Sequence, residues 1–298
     1  MAQARQVMAS SNAGVKRRIV KKSSGVTSCV ALGKEERGHD AIASKATANK
    51  NRKQNGAADV LPSSAQAIRT VVINLECRSD RWIGIQKRLA KVPLAQYLMV
   101  ERFPATDGKA DTIPEDVVTL SWMTDRNARY DARKGYRPGV SLDMTPGERG
   151  CAMSHVRAWQ LVASGDAADV PVLILEDDAT FAKGLVRRIT GLIASMPEDT
   201  DALYLGYIKG APWRCKVAPG LYEAEYLWTT VAYLLWPRGA KKLLATLPVD
   251  EPIDNFMAWQ MATGRLKTLA VEPALADQEQ EWDVGSDVPH SDDVVLAL

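Results

Sequence analysis

Three consecutive carboxylates, Glu176-Asp177-Asp178, follow directly on the apolar run Val172-Leu173-Ile174-Leu175. A short aliphatic run that stops at three acids reads as a buried strand delivering charge to its own C-terminal tip. In open α/β sheets that tip is where ligands bind. Carboxylate oxygens suit a hard divalent cation, which keeps places for water and phosphate oxygens. Acids this close raise one another's pKa, a cost that Mn2+ or Mg2+ would relieve. The trio therefore predicts a metal that holds a diphosphate; taken alone, it also fits a solvated turn.

Two other strand ends carry suitable groups. In Asn74-Leu75-Glu76-Cys77-Arg78-Ser79-Asp80-Arg81, arginines follow a buried strand and flank a helix start. Helix N-termini favour anions, and arginine adds bidentate phosphate contacts; alternatively, Asp80 and Arg81 only cap and pair on the surface. In Pro104-Ala105-Thr106-Asp107-Gly108 a strand ends in a small residue before Asp-Gly. That would let a nucleoside approach the backbone, and it is also an ordinary turn signal. His155, next to Ser154, sits beside an apolar stripe, where a structural hydrogen bond, a substrate contact and acid/base work all remain open. Farther on, Pro248-Val249-Asp250-Glu251-Pro252-Ile253-Asp254 offers three acids. A base for an acceptor hydroxyl must be a carboxylate or histidine within hydrogen-bond reach. Asp254 opens an apolar helical stretch (Phe256, Met257, Met261) that would hold it rigidly, though the position equally suits a helix N-cap.

The elements that must position these groups are legible in outline. Val71-Val72-Ile73-Asn74-Leu75 is a strand, and Asp80 to Val92 a helix with Trp82, Ile85 and Leu89 on one face. Leu98-Met99-Val100 leads a second strand, completing a β-α-β unit whose strands should be parallel. Thr145-Pro146-Gly147-Glu148 has Thr at the N-cap, Pro at the first helical position and Glu three after the cap, a capping box. Ala152, Val156, Trp159 and Ala163 then form its buried stripe. A helix with Leu185, Ile189, Leu192 and Met196 inward, strands at Ala202 to Gly206 and Tyr226 to Leu235, and a helix from Arg238 to Leu247 complete the pattern. This alternation predicts an α/β fold with a mostly parallel mixed sheet flanked by helices. Residues 109–144 are polar and irregular, and a loop that long in a compact domain is usually functional or disordered.

Bulk properties narrow the class. The 298 residues suit one large α/β domain or two small ones. Residues 1–69 carry 13 Lys/Arg against 4 Asp/Glu, and the rest 25 against 32, so the basic excess belongs to the N-terminus. Residues 1–67 lack large apolar groups and are expected to be disordered; 68–290 form the expected domain and 291–298 a short tail. Lys16 to Lys22 is a basic cluster that reads as a solvated tail, with targeting or an anionic-surface contact as alternatives. The scarcity of acids before Glu35 leaves organellar targeting open beside a cytoplasmic location. No aromatic interleaving points to nucleic acid, and no segment nears the roughly 18 apolar residues of a membrane span. Four dispersed cysteines make a disulfide framework unexpected and favour a reducing compartment.

In order along the chain, these stretches resemble glycosyltransferase family 25. The matching residues are Val72-Ile73-Asn74-Leu75 with Arg78 and Asp80-Arg81; Arg102-Phe103-Pro104-Ala105 with Asp107-Gly108; Thr145 to His155; Leu173 to Asp178; Thr229-Thr230 with Ala232-Tyr233; Gly239-Ala240; Pro252-Ile253-Asp254; and Glu272-Pro273 with Gln278 and Ser286. The resemblance implies a GT-A-like nucleotide-diphospho-sugar transferase fold, a UDP-sugar donor (often UDP-galactose), Mn2+ dependence and inversion at the anomeric carbon. It makes Glu176 and Asp178 the counterparts of a DxD-type metal motif, with Asp177 able to replace Glu176. It places Asn74, Arg78, Arg81, Ala105, Asp107, Gly108, Ser154, His155 and Asp177 around the donor. The base falls on Asp254, or on Asp250 under another alignment of the Pro-x-Asp segment. The acceptor would be a glycan, lipid-linked or protein hydroxyl. A catalytically silent nucleotide-sugar or glycan-binding module is the competing reading.

Overall fold

The computed structural model describes residues 66–131, 136–165, 170–279 and 288–292, and a two-residue strand ahead of them. The expected disordered tail thus lies almost wholly outside the described residues, as do Ser286 and 293–298. The elements run β1 (Val30–Ala31), β2 (Ile68–Asn74), α1 (Ser79–Leu89), β3 (Leu98–Pro104), β4 (Ser121–Met123), β5 (Ser141–Asp143), α2 (Pro146–Ala163), β6 (Val172–Glu176) and β7 (Ala179–Phe181). They continue α3 (Leu185–Ile193), β8 (Ala202–Lys209), β9 (Cys215–Ala218), β10 (Leu221–Glu223), β11 (Leu227–Leu235), α4 (Pro237–Leu244), α5 (Ile253–Ala262), β12 (Thr268–Val271) and β13 (Ala276–Gln278).

The main sheet has the order β1-β9-β10-β12-β8-β11-β6-β2-β3. β2 is parallel to β3 and β6, as the β-α-β reading requires, and β12 is parallel to β8. β11 runs antiparallel between β6 and β8, which nothing in its apolar run announces. β2, β3, β6, β8, β9 and β12 point one way and β1, β10 and β11 the other.

Alternation along the strands builds two cores. Val71, Ile73, Ile174, Tyr204 and Tyr233 pack on one face with Trp159 of α2, Leu243 of α4 and Phe256 of α5. Val72, Leu173, Leu175, Leu203 and Leu234 pack on the other with Ile85 of α1 and Ile189 of α3. Burial on both faces explains why these strands read as continuous apolar runs. Each fully buried large side chain contributes roughly 2 kcal/mol relative to exposure.

α2 begins as its sequence dictates. Glu148 N donates to Thr145 Oγ1 (3.1 Å), and Thr145 N donates to Glu148 Oε2 (2.7 Å). The other Glu148 oxygen accepts from the amide and hydroxyl of Ser291, both at 2.9 Å. Residues 288–292 thereby dock against the start of α2, with Trp122 Nε1 also donating to Ser291 Oγ (2.9 Å). The segment 109–144 is more structured than its polarity suggests: β4 pairs with β5 around buried Trp122, and Thr119 and Val117 bond to Val249 ahead of α5. Cys215 is disulfide-bonded to a partner outside the described residues, whereas Cys77 and Cys151 are free thiols. One bond is no framework, but the wide cysteine spacing gave no sign of it. No helix among the described residues is long and apolar enough to cross a membrane.

Candidate active site

Register brings the chemistry together. Ile73 pairs with Glu176 and Asn74 with Pro104, so the C-terminal tips of β2, β6 and β3 lie side by side. Asp177 turns toward β2: its Oδ2 accepts from Asn74 Nδ2 at 2.6 Å, and its Oδ1 pairs with Arg81 Nη1 at 3.0 Å. Arg88, two turns along the same face of α1, donates to the Asp177 carbonyl (2.5 Å), the Ala179 carbonyl (2.8 Å) and Glu279 (2.6 Å). Asn74 Oδ1 in turn accepts from Arg102 Nε (2.8 Å). Burial pushes the Asp177 carboxyl above its ordinary range, and the bonds from Asn74 and Arg81 only partly offset this. Asp177 is thus committed on both oxygens to holding β6 and α1 together.

Glu176 is held differently. Thr230 donates to Oε1 at 2.5 Å, and His155 Nε2 lies 3.2 Å from that same oxygen. Among the described residues Oε2 has no hydrogen-bond partner. Burial pushes the carboxyl up, while the bonds from His155 and Thr230 and the positive charge of Arg81 pull it down. Thr230 reaches Glu176 from an irregular stretch of β11, where Thr229 adopts a left-handed backbone (φ 68°). A β-branched residue there carries strain, and such strain clusters at functional sites.

Asp178 is the acid left short of partners. Oδ2 accepts from Gln278 Nε2 (3.0 Å), while Oδ1 is buried and has no hydrogen-bond partner among the described residues. Burial, then the charge of Glu176, pushes its pKa up to about 6. An ionised carboxylate that is buried and incompletely paired is costly without a counter-charge, and a hard divalent cation takes such oxygens readily. The residues present therefore fit a divalent ion between Asp178 and Glu176. A second grouping, Cys151, His155 and Glu176, places one ligand atom from each within 4.8 Å of the others. It fits less well, because both His155 nitrogens are already engaged.

The β3 end is built for close packing. Thr106 N donates to Ser154 Oγ (2.8 Å), which donates to the Gly150 carbonyl (2.7 Å). A Cβ on Gly108 would stand 1.7 Å from the Pro146 carbonyl oxygen, and one on Gly150 only 2.7 Å from Gly108 N. Gly108 is thus required by the approach of this loop to α2. Ala105 continues from β3 with its amide on the Asn74 carbonyl (3.0 Å), and Asp107 Oδ1 accepts from Lys109 N (2.9 Å) in a turn. Arg78 makes a two-pronged pair with Asp80, at 3.1 and 3.0 Å.

The two candidate bases separate clearly. Asp250 is gripped on both oxygens by Arg126, at 2.9 and 2.7 Å. Asp254, in the first turn of α5, spends Oδ1 on the Asn255 amide (2.8 Å). Burial pushes its carboxyl up, and Glu176 is near enough to add to the rise. Burial, and after it the charges of Glu176, Asp254, Asp178 and Asp177, push the Cys151 thiol up.

This site lies within the stretch, residues 67–257, that matches the family model described as glycosyltransferase family 25 (LPS biosynthesis protein). The chain belongs to glycosyltransferase family 25. It is 29% identical over 219 residues to a glycosyltransferase 25 family member of Anopheles gambiae, covering 67% of this chain and 33% of that protein. It is 29% identical over 196 residues to procollagen galactosyltransferase 1 of Danio rerio (62% and 30%). It is 34% identical over 149 residues to inactive glycosyltransferase 25 family member 3 of Homo sapiens (46% and 25%). The chain thus spans a third or less of the length of these curated relatives.

Family 25 membership directs attention to residues that the sequence reading left without a role. Thr230, Gln278, Arg88 and Tyr233 each hold a site group. For Thr230 the signal was available, since Thr229-Thr230 interrupts an otherwise apolar strand. Arg88 follows Arg81 by seven positions, the same helix face two turns on. Gln278 and Tyr233 are brought in by tertiary pairing alone.

Proposed function

We propose that this chain transfers a sugar, best represented by galactose, from a UDP-sugar to a hydroxyl of a glycan, lipid-linked or protein acceptor. The observation that carries the reading is the buried, unpartnered Oδ1 of Asp178 at the tip of β6. Glu176 and Asp178 would hold a divalent cation (Mn2+, or Mg2+), Asp177 being committed elsewhere, and such an ion neutralises the charge of a departing diphosphate. Arg78 and Arg81 add positive charge at the start of α1, where phosphate oxygens are favoured. Asp254 takes the proton of the acceptor hydroxyl as its oxygen bonds the anomeric carbon and the bond from that carbon to the phosphate oxygen breaks. A carboxyl raised by burial is better matched to that task near neutral pH than an ordinary aspartate. One displacement inverts the anomeric centre without a covalent enzyme intermediate. The two-pronged hold of Arg126 on Asp250 supports Asp254 over it.

A panel of UDP-sugars assayed for UDP release with Mn2+ tests this reading. UDP-galactose turned over faster than the rest is expected. The names of the human, rat and mouse relatives that include "inactive" favour one alternative, a silent nucleotide-sugar or glycan-binding module. Donor binding without turnover across a broad acceptor panel would establish that module instead.

A further inference from the structure

His155, Tyr233 and Trp159 are all fully buried and joined in a chain that ends on Glu176. Trp159 Nε1 donates to the Tyr233 hydroxyl at 3.1 Å, the Tyr233 hydroxyl lies 2.8 Å from His155 Nδ1, and His155 Nε2 lies 3.2 Å from Glu176 Oε1. Indole nitrogen is a donor only, so the Tyr233 oxygen must accept from Trp159. Its own proton then needs an acceptor, and among the described residues His155 Nδ1 is the one in place. That leaves Nε2 carrying the imidazole proton and donating it to the carboxylate. With the proton on Nδ1 instead, a ring lone pair would face the Glu176 carboxylate and the buried Tyr233 proton would have no acceptor. Burial holds the Tyr233 phenol far above its ordinary range, so it keeps that proton as donor.

We infer that His155 is a positioning residue whose Nδ1 accepts from Tyr233 and whose Nε2–H is thereby aimed at Glu176, and that together with Thr230 it anchors Glu176 by Oε1 so that Oε2 is left for a ligand. Its nitrogens are both consumed by this role, so it is neither the acid/base group nor a contact for the donor. Partners of this kind, one step removed from a ligand oxygen, typically cost about 10- to 100-fold in affinity or activity when removed.

The wild-type chain labelled with 15N-histidine tests the tautomer directly. Only three histidines exist, and the His155 signals are assigned by their loss in His155→Gln. At neutral pH, long-range proton–nitrogen correlations should show His155 Nδ1 as a pyridine-type nitrogen and Nε2 as a pyrrole-type one. In Tyr233→Phe the two tautomers should mix. The reverse assignment in the wild type, or two pyrrole-type nitrogens, would overturn the inference. The kinetic arm rests on the proposed sugar transfer. His155→Gln, whose amide can still donate from near the Nε2 position, should retain UDP release within about 10-fold, and His155→Ala should lose about 100-fold. Equal losses in the two variants would contradict the positioning role. If no UDP-sugar is turned over at all, that reading fails while the nitrogen shifts still decide the tautomer.

Discussion

Asn74 Nδ2 lies 2.6 Å from Asp177 Oδ2, joining the tips of β2 and β6 by side chains where their backbone ladder ends. With Arg81 on the other oxygen, Asp177 is a strut between strands and helix rather than a free ligand. Asp177→Ala leaves Arg81 beside an amide that has lost its acceptor, in a pair whose side chains are 12% and 9% exposed. A loss of about 3 kcal/mol in unfolding free energy is expected from urea titration. A loss below about 1 kcal/mol would show that the strut is dispensable.

The Gly108–α2 contact is predicted to be intolerant of a single methyl. Gly108→Ala forces its Cβ against the Pro146 carbonyl, and the loop must lift away. Overpacking of this kind costs about 1–3 kcal/mol. Gly184→Ala, where a Cβ meets nothing within 4 Å, serves as the control and should cost far less in the same thermal-unfolding comparison.

Glu251 is predicted to set a pH dependence of stability away from the acidic trio. It is 1% exposed, and burial, offset in part by Arg126, pushes its pKa from 4.5 to about 7. A carboxyl raised in the folded state binds more protons there than when unfolded. Its effect is therefore a stability loss that develops as pH rises from 4.5 to about 7. At full extent this amounts to about 3 kcal/mol. Glu251→Gln should remove that slope, so the variant gains on the parent across this window in chemical denaturation. Parallel stability–pH curves would contradict the assignment.

Asp254→Asn should lower sugar transfer to an acceptor, read as UDP release, by about 10²- to 10⁴-fold, the usual contribution of a positioned base. Asp250→Asn should lower it much less, because Asp250 is already committed to Arg126. The reverse ranking in steady-state kinetics would move the base to Asp250.

Much of this arrangement is legible in local patterning. The capping box at Thr145 to Glu148, the parallel β2-α1-β3 unit and the apolar run ending in the acidic trio all follow from nearest-neighbour physics. The reversed direction of β11 does not, because an apolar run buried on both faces is symmetric to inversion. Nor do the separate tasks of the three acids. Asp177 differs from Asp178 only in which distant groups, Asn74 and Arg81 or Gln278, fold against it. Asp107-Gly108 reads equally as a turn or as a nucleoside approach, and the close packing of Gly108 on Pro146 is a tertiary contact that neither reading contains. The hairpin-like pairing of β4 with β5 was hidden by a polar sequence whose one deep anchor is Trp122.

The central claim is that Asp178 is kept under-bonded in order to hold a cation at the donor diphosphate. Mn2+-dependent UDP release by Asp178→Asn, set beside the parent and checked for an intact fold, tests it most directly. The account predicts a folded protein, no less stable than the parent because the charge on a buried, incompletely bonded carboxylate has been removed, whose UDP release is abolished. Unchanged Mn2+-dependent turnover in that variant would contradict it.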